Sequence, residues 1–410
     1  MALRIAERFF LVIIISFFII LNILNIKEKI MIKITHVLTD SNIGGAGILL
    51  CNLFSELNRQ DFDFRVILPK GAALSPLISA LDVPVLEAEI CPDRSFCFKD
   101  FFVFRRLLAE NMPDILHTHG SFAARLAGRT LSVPHCILTR HCDTPVKMPT
   151  FIYNSISDLT VCTSMPLYEH MLTYGVPKEK LRFIINGAKP CARISESRKK
   201  ELCALFDIPK CARVIGIVGR LEKIKGQELF LRAAQSVLRA KRNCVFLLVG
   251  DGSMRQELEA LSYRLGISEN VRFCGHRQDA GEIMNLFDIA VNSSFGSETS
   301  SLAISESLSL AIPVVASDID GNCALLGTKP ASSPVLTSLL PAASSPALFF
   351  KRGDSLSLAN ALLYLLEHDN LRKIIGKNGN EHYKKKLTPS SMAKEYGKLY
   401  REIVEGRSFS

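Results

Sequence analysis

The sequence has no tryptophan and no C-x-x-C pair. Its 12 cysteines are scattered, and the closest spacings, Cys91 to Cys97 and Cys136 to Cys142, fit no zinc template. That absence excludes a metal-stapled or disulfide-framed domain and reads as reduced thiols, many of them buried as small apolar groups. No run of Lys or Arg interleaves with aromatics, and the aromatics are mostly Phe, so nucleic acid is not expected as a partner. There is no internal repeat and no disorder signature, because 48% of the residues are hydrophobic and only 22% are charged. What remains is a basic globular chain. Its formal net charge of +10 suits an anionic membrane surface or a phosphorylated substrate.

At 410 residues the chain is too long for one core, and two domains of roughly 150–200 residues are expected. The N-terminus stands apart. Phe9 to Ile26 carries no charge over 18 residues, the lower limit for spanning a bilayer. No small-residue cleavage site follows it. Two readings of residues 1–30 stay open, a membrane anchor or translation from an upstream start, since Met31 begins what reads as the first strand of a soluble enzyme. The expected location is cytoplasmic, on the cytoplasmic face of the membrane if 9–26 is an anchor.

Beyond residue 31, short apolar runs alternate with amphipathic stretches, the pattern of βαβ units and parallel sheets. Strands are expected at Lys33–Leu38, Phe64–Leu68, Val83–Glu87, Ile115–His117, Cys136–Thr139 and Leu159–Thr163, then at Val214–Val218, Val245–Val249, Val271–Phe273, Ile289–Asn292 and Pro313–Ala316. This gives an N-terminal Rossmann-like domain over 31–190 and a C-terminal one over 211–380. The polar stretch 191–210 reads as the hinge, and 381–410 as a C-terminal helix that ends the second domain or crosses back to the first. The Ser/Pro-rich stretch Thr328 to Ala347 reads as a surface loop. Doubly wound sheets place ligands at the carboxyl ends of their strands.

Four groups of residues occupy such ends. After the first strand, Gly44, Gly45 and Gly47 precede an apolar helix, where backbone N–H groups can approach a phosphate or sugar. A dinucleotide fingerprint is a poor fit, because the third glycine and the ribose-binding acid are missing. His117 and His119 share one strand face; His119 and His141 suit hydrogen bonding to a hydroxyl or phosphate, while His117 reads as a satisfied structural histidine. No third ligand lies nearby in sequence, so a metal is not expected. Gly219-Arg220 and Lys225-Gly226 flank a turn before a helix, a forked cation and a point charge for a diphosphate. Finally, Glu298 lies in a loop and Glu306 in the helix that follows, with Thr299, Ser300, Ser301 and Leu302 at the helix start offering N–H groups to phosphate. Glu306 suits a ribose diol and Glu298 a sugar hydroxyl.

Taken in order, these motifs resemble the retaining glycosyltransferases of family four, which have the GT-B fold. The resemblance runs from about Ile32 to Glu405. It rests on Pro113-Asp114-Ile115-x-His117-x-His119, Asn186-Gly187, Gly219-Arg220-Leu221, Lys225-Gly226, Leu248-Val249-Gly250-Asp251-Gly252, Val271-x-Phe273-x-Gly275 and Glu298-x7-Glu306. It implies two Rossmann-like doubly wound domains facing across a cleft. It also implies a sugar nucleotide as donor and a glycan or lipid-linked acceptor. Arg220 and Lys225 would hold the diphosphate, Glu306 the ribose and Glu298 the transferred sugar. His119 would sit beside that sugar, Arg277 near the base, and Gly44 and Gly45 in a loop that closes on the donor. Neither metal nor cofactor is implied, since Arg and Lys replace the cation. Thr299-Ser300 stands where the family usually has Gly-Phe. A sugar-nucleotide epimerase and a non-catalytic sugar-nucleotide binder are the alternatives.

Overall fold

The computed structural model describes residues 31–41, 43–92, 97–141, 146, 148–296, 300–327 and 345–406. The hydrophobic run 9–26, Glu298, Thr299 and most of the Ser/Pro-rich stretch lie outside them. Among the described residues, no helix is long and apolar enough to cross a membrane.

Seven strands build the first sheet: β1 (Ile32–Val37), β2 (Phe62–Pro69), β3 (Val85–Ala88), β4 (Ile115–Thr118), β5 (His135–Arg140), β6 (Leu159–Cys162) and β7 (Leu181–Phe183). They are parallel throughout, in the order β3-β2-β1-β4-β5-β6-β7. Six build the second: β8 (Arg213–Val218), β9 (Cys244–Val249), β10 (Val271–Gly275), β11 (Ile289–Asn292), β12 (Val314–Ser317) and β13 (Leu348–Phe350). They too are parallel, in the order β10-β9-β8-β11-β12-β13. In each sheet the order reverses at the first strand, which opens a crevice at the carboxyl ends. The strands read as unbroken apolar runs because helices cover both faces. The eleven expected strands are all present; β7 and β13, three residues each, extend the sheets beyond them.

The helices that matter for the site are α1 (Gly45–Glu56), α2 (Phe98–Glu110), α3 (Glu196–Leu205), α4 (Gln227–Ala240), α5 (Leu302–Ser309), α6 (Asp369–His382) and α7 (Pro389–Val404). The stretch expected to be a hinge holds α3, which is fastened to the second domain. Leu202 is buried in that domain's core, and Arg198 bonds Glu282 at 2.7 Å and Asp279 at 3.2 Å. The crossings lie elsewhere. Ala188 N–H donates to the Leu387 carbonyl at 2.9 Å, and Tyr383 Oη donates to the Ala188 carbonyl at 2.8 Å. The chain leaves the first domain at 187–188 and returns to it at 387–388, side by side.

Helix α7 starts cleanly because Thr388 caps it, accepting from Ser391 N–H at 3.1 Å, with Pro389 in the first turn. Met392, Tyr396, Leu399, Tyr400 and Ile403 recur at helical spacing and share one core with β1, β2 and α1. Five such side chains contribute on the order of 10 kcal/mol of gross transfer free energy, before ordering entropy is subtracted. The C-terminal helix is therefore part of the N-terminal domain's core.

Candidate functional site

The site begins where β8 ends. Its apolar run stops at Gly219, and Leu221 N–H donates to the Asp251 carbonyl at 2.9 Å, turning the chain over the sheet edge. Lys223–Lys225 forms a single 3-10 turn, closed by Gly226 at φ +68. A side chain there is impossible, since a Cβ on Gly226 would lie 2.1 Å from the Ser293 carbonyl oxygen. The close approach is used. Ser293 Oγ donates to the carbonyls of Lys225 at 3.0 Å and Gly226 at 2.9 Å, and Gln227 Nε2 donates to that of Arg220 at 2.8 Å. The basic turn is thus buttoned onto the end of β11.

The start of α5 faces it. Ser301 caps this helix and accepts from Ile304 N–H and from Asn292 Nδ2, the latter at 3.1 Å. Asn292 is held in turn by Asn322 Nδ2 at 3.2 Å. Asn292, Ser293 and Asn322 were not singled out from sequence. Their only signal there is a polar run, Asn292-Ser293-Ser294, at the end of a buried strand.

Between these two structures lies a cavity of about 270 Å³. Gly219, Arg220, Lys225, Ser300, Ser301 and Leu302 line it from the second domain, and Gly45 from the first. Ser300 Oγ is buried and has no hydrogen-bond partner among the described residues, so it is a polar group awaiting one. Arg220 is largely exposed and pairs with Glu222 at 2.9 Å. The cavity therefore offers a guanidinium, an ammonium, a hydroxyl and the start of a helix, a set that matches a diphosphate.

Three expected residues stand apart from that lining. Glu306 is half-buried on α5, where burial pushes its carboxyl above the usual range; its charge helps push up the thiol of Cys191 and the phenol of Tyr383. It therefore faces the crossing between domains. Arg277 is engaged by Asp279 through two bonds of 2.7 Å and lies over the Phe206 ring. Gly44 precedes α1 as its cap residue and does not line the cavity.

His119 belongs to a cluster. Its Nε2 meets His36 Nδ1 at 3.1 Å and its Nδ1 meets His141 Nε2 at 2.9 Å, with the rings stacked. His117 is fully buried between Tyr400 Oη at 2.8 Å and Thr139 Oγ1 at 2.7 Å, a satisfied structural histidine. Burial holds His36, His117 and His119 well below the ordinary histidine value and His141 at about 4. All four are neutral at pH 7. His36 supplies the third imidazole that the sequence seemed to lack, with ligand atoms within 4.8 Å of those of His117 and His119. Both nitrogens of His117 and of His119 are engaged in hydrogen bonds, while the buried Nε2 of His36 has no partner among the described residues.

Two family models match the chain, one described as glycosyltransferase family 4 over residues 43–190 and one as glycosyl transferases group 1 over 212–368. The chain belongs to glycosyltransferase family four. The transferase is 26% identical over 321 residues to the Escherichia coli UDP-Gal:alpha-D-GlcNAc-diphosphoundecaprenol alpha-1,3-galactosyltransferase, covering 72% of this chain and 81% of that one. A Rickettsia africae glycosyltransferase structure superposes with a TM-score of 0.75 at 15% identity, over 92% of this chain and 99% of that one. Anabaena HepE, solved with UDP and glucose, gives 0.72 at 18% identity, over 90% and 99%. The shared architecture is the GT-B fold.

Proposed function

We propose that the transferase moves a sugar, with retention at the anomeric carbon, from a nucleoside diphosphate sugar to a lipid-linked or glycan acceptor in glycolipid or polysaccharide synthesis. The cavity carries this reading, since Arg220, Lys225, Ser300 and the start of α5 converge on one diphosphate-sized space. The galactosyltransferase relative is named for a UDP-sugar donor and a diphospholipid acceptor, which favours UDP and a membrane-borne acceptor. Arg220 would leave Glu222 for a phosphate oxygen, and with Lys225 it would stabilise charge on the departing diphosphate without a metal. The leaving phosphate would take the acceptor's proton on the same face, Glu306 would hold the ribose, and Glu298 the sugar. His119 enters as a neutral group, suited to hydrogen bonding more than to proton abstraction.

A membrane-borne acceptor fits the surface of α2. Phe98 and Phe102 are 70% and 55% exposed there, beside exposed Lys99, Arg105 and Arg106. Phe98→Ala/Phe102→Ala should reduce cosedimentation with anionic vesicles while UDP binding is kept.

The deciding experiment is nucleotide release with UDP-sugars, with and without a polyprenol-diphosphate sugar. Acceptor-dependent release that falls by roughly 10²–10³ in Lys225→Ala, with the fold intact, is expected. Full activity of Lys225→Ala would sink the site assignment. NMR of the product should show the donor's anomeric configuration, and an inverted product removes retention. Turnover should survive a chelator, and its loss would remove metal independence.

A further inference from the structure

The fold joins two cysteines that the sequence leaves six residues apart. Cys91 follows the end of β3, and Cys97 is the cap residue of the 13-residue helix α2. Their Sγ atoms are 3.1 Å apart, and both thiols are partly exposed. Asp100, buried in the first turn of α2, accepts the Cys91 N–H through both carboxylate oxygens at 3.0 and 3.2 Å. That bond ties the end of β3 to the helix and keeps the sulfurs together.

The same three residues could be read as a cation site, but the distances argue otherwise. Two thiolates on a tetrahedral zinc, each about 2.3 Å from the metal, sit about 3.8 Å apart. At 3.1 Å the sulfurs are closer than that, and within about 1 Å of a sulfur–sulfur bond. The Asp100 oxygens are turned to an N–H donor. We propose that Cys91 and Cys97 are a redox-modification site, a dithiol that closes to an intramolecular disulfide by exchange with a glutathione-type disulfide.

The chemistry divides the roles. Hydrogen bonding from Cys91, then from the first-turn N–H groups of Asp100 and Lys99, lowers the Cys97 thiol. The bond to Cys97, burial and the Asp100 charge push Cys91 up to about 11. Cys97 is the nucleophile: its thiolate attacks one sulfur of the small disulfide, forms a mixed disulfide and releases one thiolate. Cys91 then attacks the Cys97 sulfur, its proton passes to the departing thiolate, and a second small thiol leaves. The sum is one dithiol plus one disulfide giving one protein disulfide plus two thiols.

The test uses the full chain, reduced, then equilibrated across ratios of glutathione disulfide to glutathione, acid-quenched, alkylated and mapped by peptide mass. Exposed Cys211 reports that the reagent is active. The expected result is an internal Cys91–Cys97 disulfide in the wild type, a glutathione adduct trapped on Cys97 in Cys91→Ser, and modification of Cys91 roughly tenfold slower in Cys97→Ser. Both thiols staying alkylatable while Cys211 is modified would overturn the proposal. So would stoichiometric zinc in the reduced wild type that Cys97→Ser lacks. None of these readouts depends on donor turnover.

Discussion

At the scale of single residues, the basic turn and the helix start that line the cavity were legible, while the histidine network and the polar end of β11 were not. Gly219, Arg220, Lys225 and Ser300–Leu302 lie in two short segments, each at the end of one strand, so sequence order already places them. His36 escapes that logic. Its partner is set by parallel pairing, which puts His36 opposite His117 across β1 and β4. Nothing local announces a contact spanning 81 residues. The network makes a measurable claim. A neutral imidazole has one N–H and one lone pair, so His36, His119 and His141 must share one donor direction. Nitrogen NMR of the wild type should show neutral rings with matched tautomers, and His36→Phe should disturb the His119 signals; unchanged signals would break the coupling. His117→Phe should cost about 1–3 kcal/mol in denaturant unfolding, because Tyr400 and Thr139 lose a buried partner. Arg220 offers an opposite prediction. Its pair with Glu222 is exposed and worth little. Glu222→Gln should free the guanidinium and tighten UDP binding about two- to fivefold by calorimetry, and weaker binding would show that Glu222 orients Arg220.

At the scale of elements, the eleven longer strands follow from their apolar runs, while β7 and β13 are too short to show any period. The segment 191–210 misled because polarity marks an exposed helix as readily as a hinge. Helix α3 is polar on the outside and held by Arg198 and Leu202, contacts no sequence pattern displays. The real crossing is recognisable only in three dimensions. There a Cβ on Gly187 would lie 2.5 Å from the Thr388 carbonyl oxygen, and Asn52 Nδ2 donates to the Gly187 carbonyl at 2.9 Å. Gly187→Ala should therefore push the two crossings apart, with a stability loss of about 1–3 kcal/mol. A midpoint equal to wild type would mean the strands can separate freely.

At the scale of the whole molecule, acid should act on the N-terminal domain first. The four histidines have folded values below the unfolded value of about 6.5. The unfolded chain thus binds more protons as pH falls, and stability that is complete above 6.5 is lost below it. For His141 the loss continues down to about 4. Melting followed between pH 7 and 4 should show the N-terminal domain losing stability on the order of 1–3 kcal/mol beyond the C-terminal one; parallel losses in both domains would contradict this.

The return of α7 to the first domain also fixes an order of events during synthesis. The sheet of the N-terminal domain leaves the ribosome before the second domain, yet the helix carrying Tyr396 and Tyr400 into its core leaves after it. About 200 residues separate the two crossings, and at typical elongation rates of 5–20 residues per second that is a wait of about 10–40 s. During that wait the surface of β1, β2 and α1 that α7 will cover stays open to water, or to whatever cellular factor shields nascent apolar surface. The core of the first domain closes only after the second domain has been made.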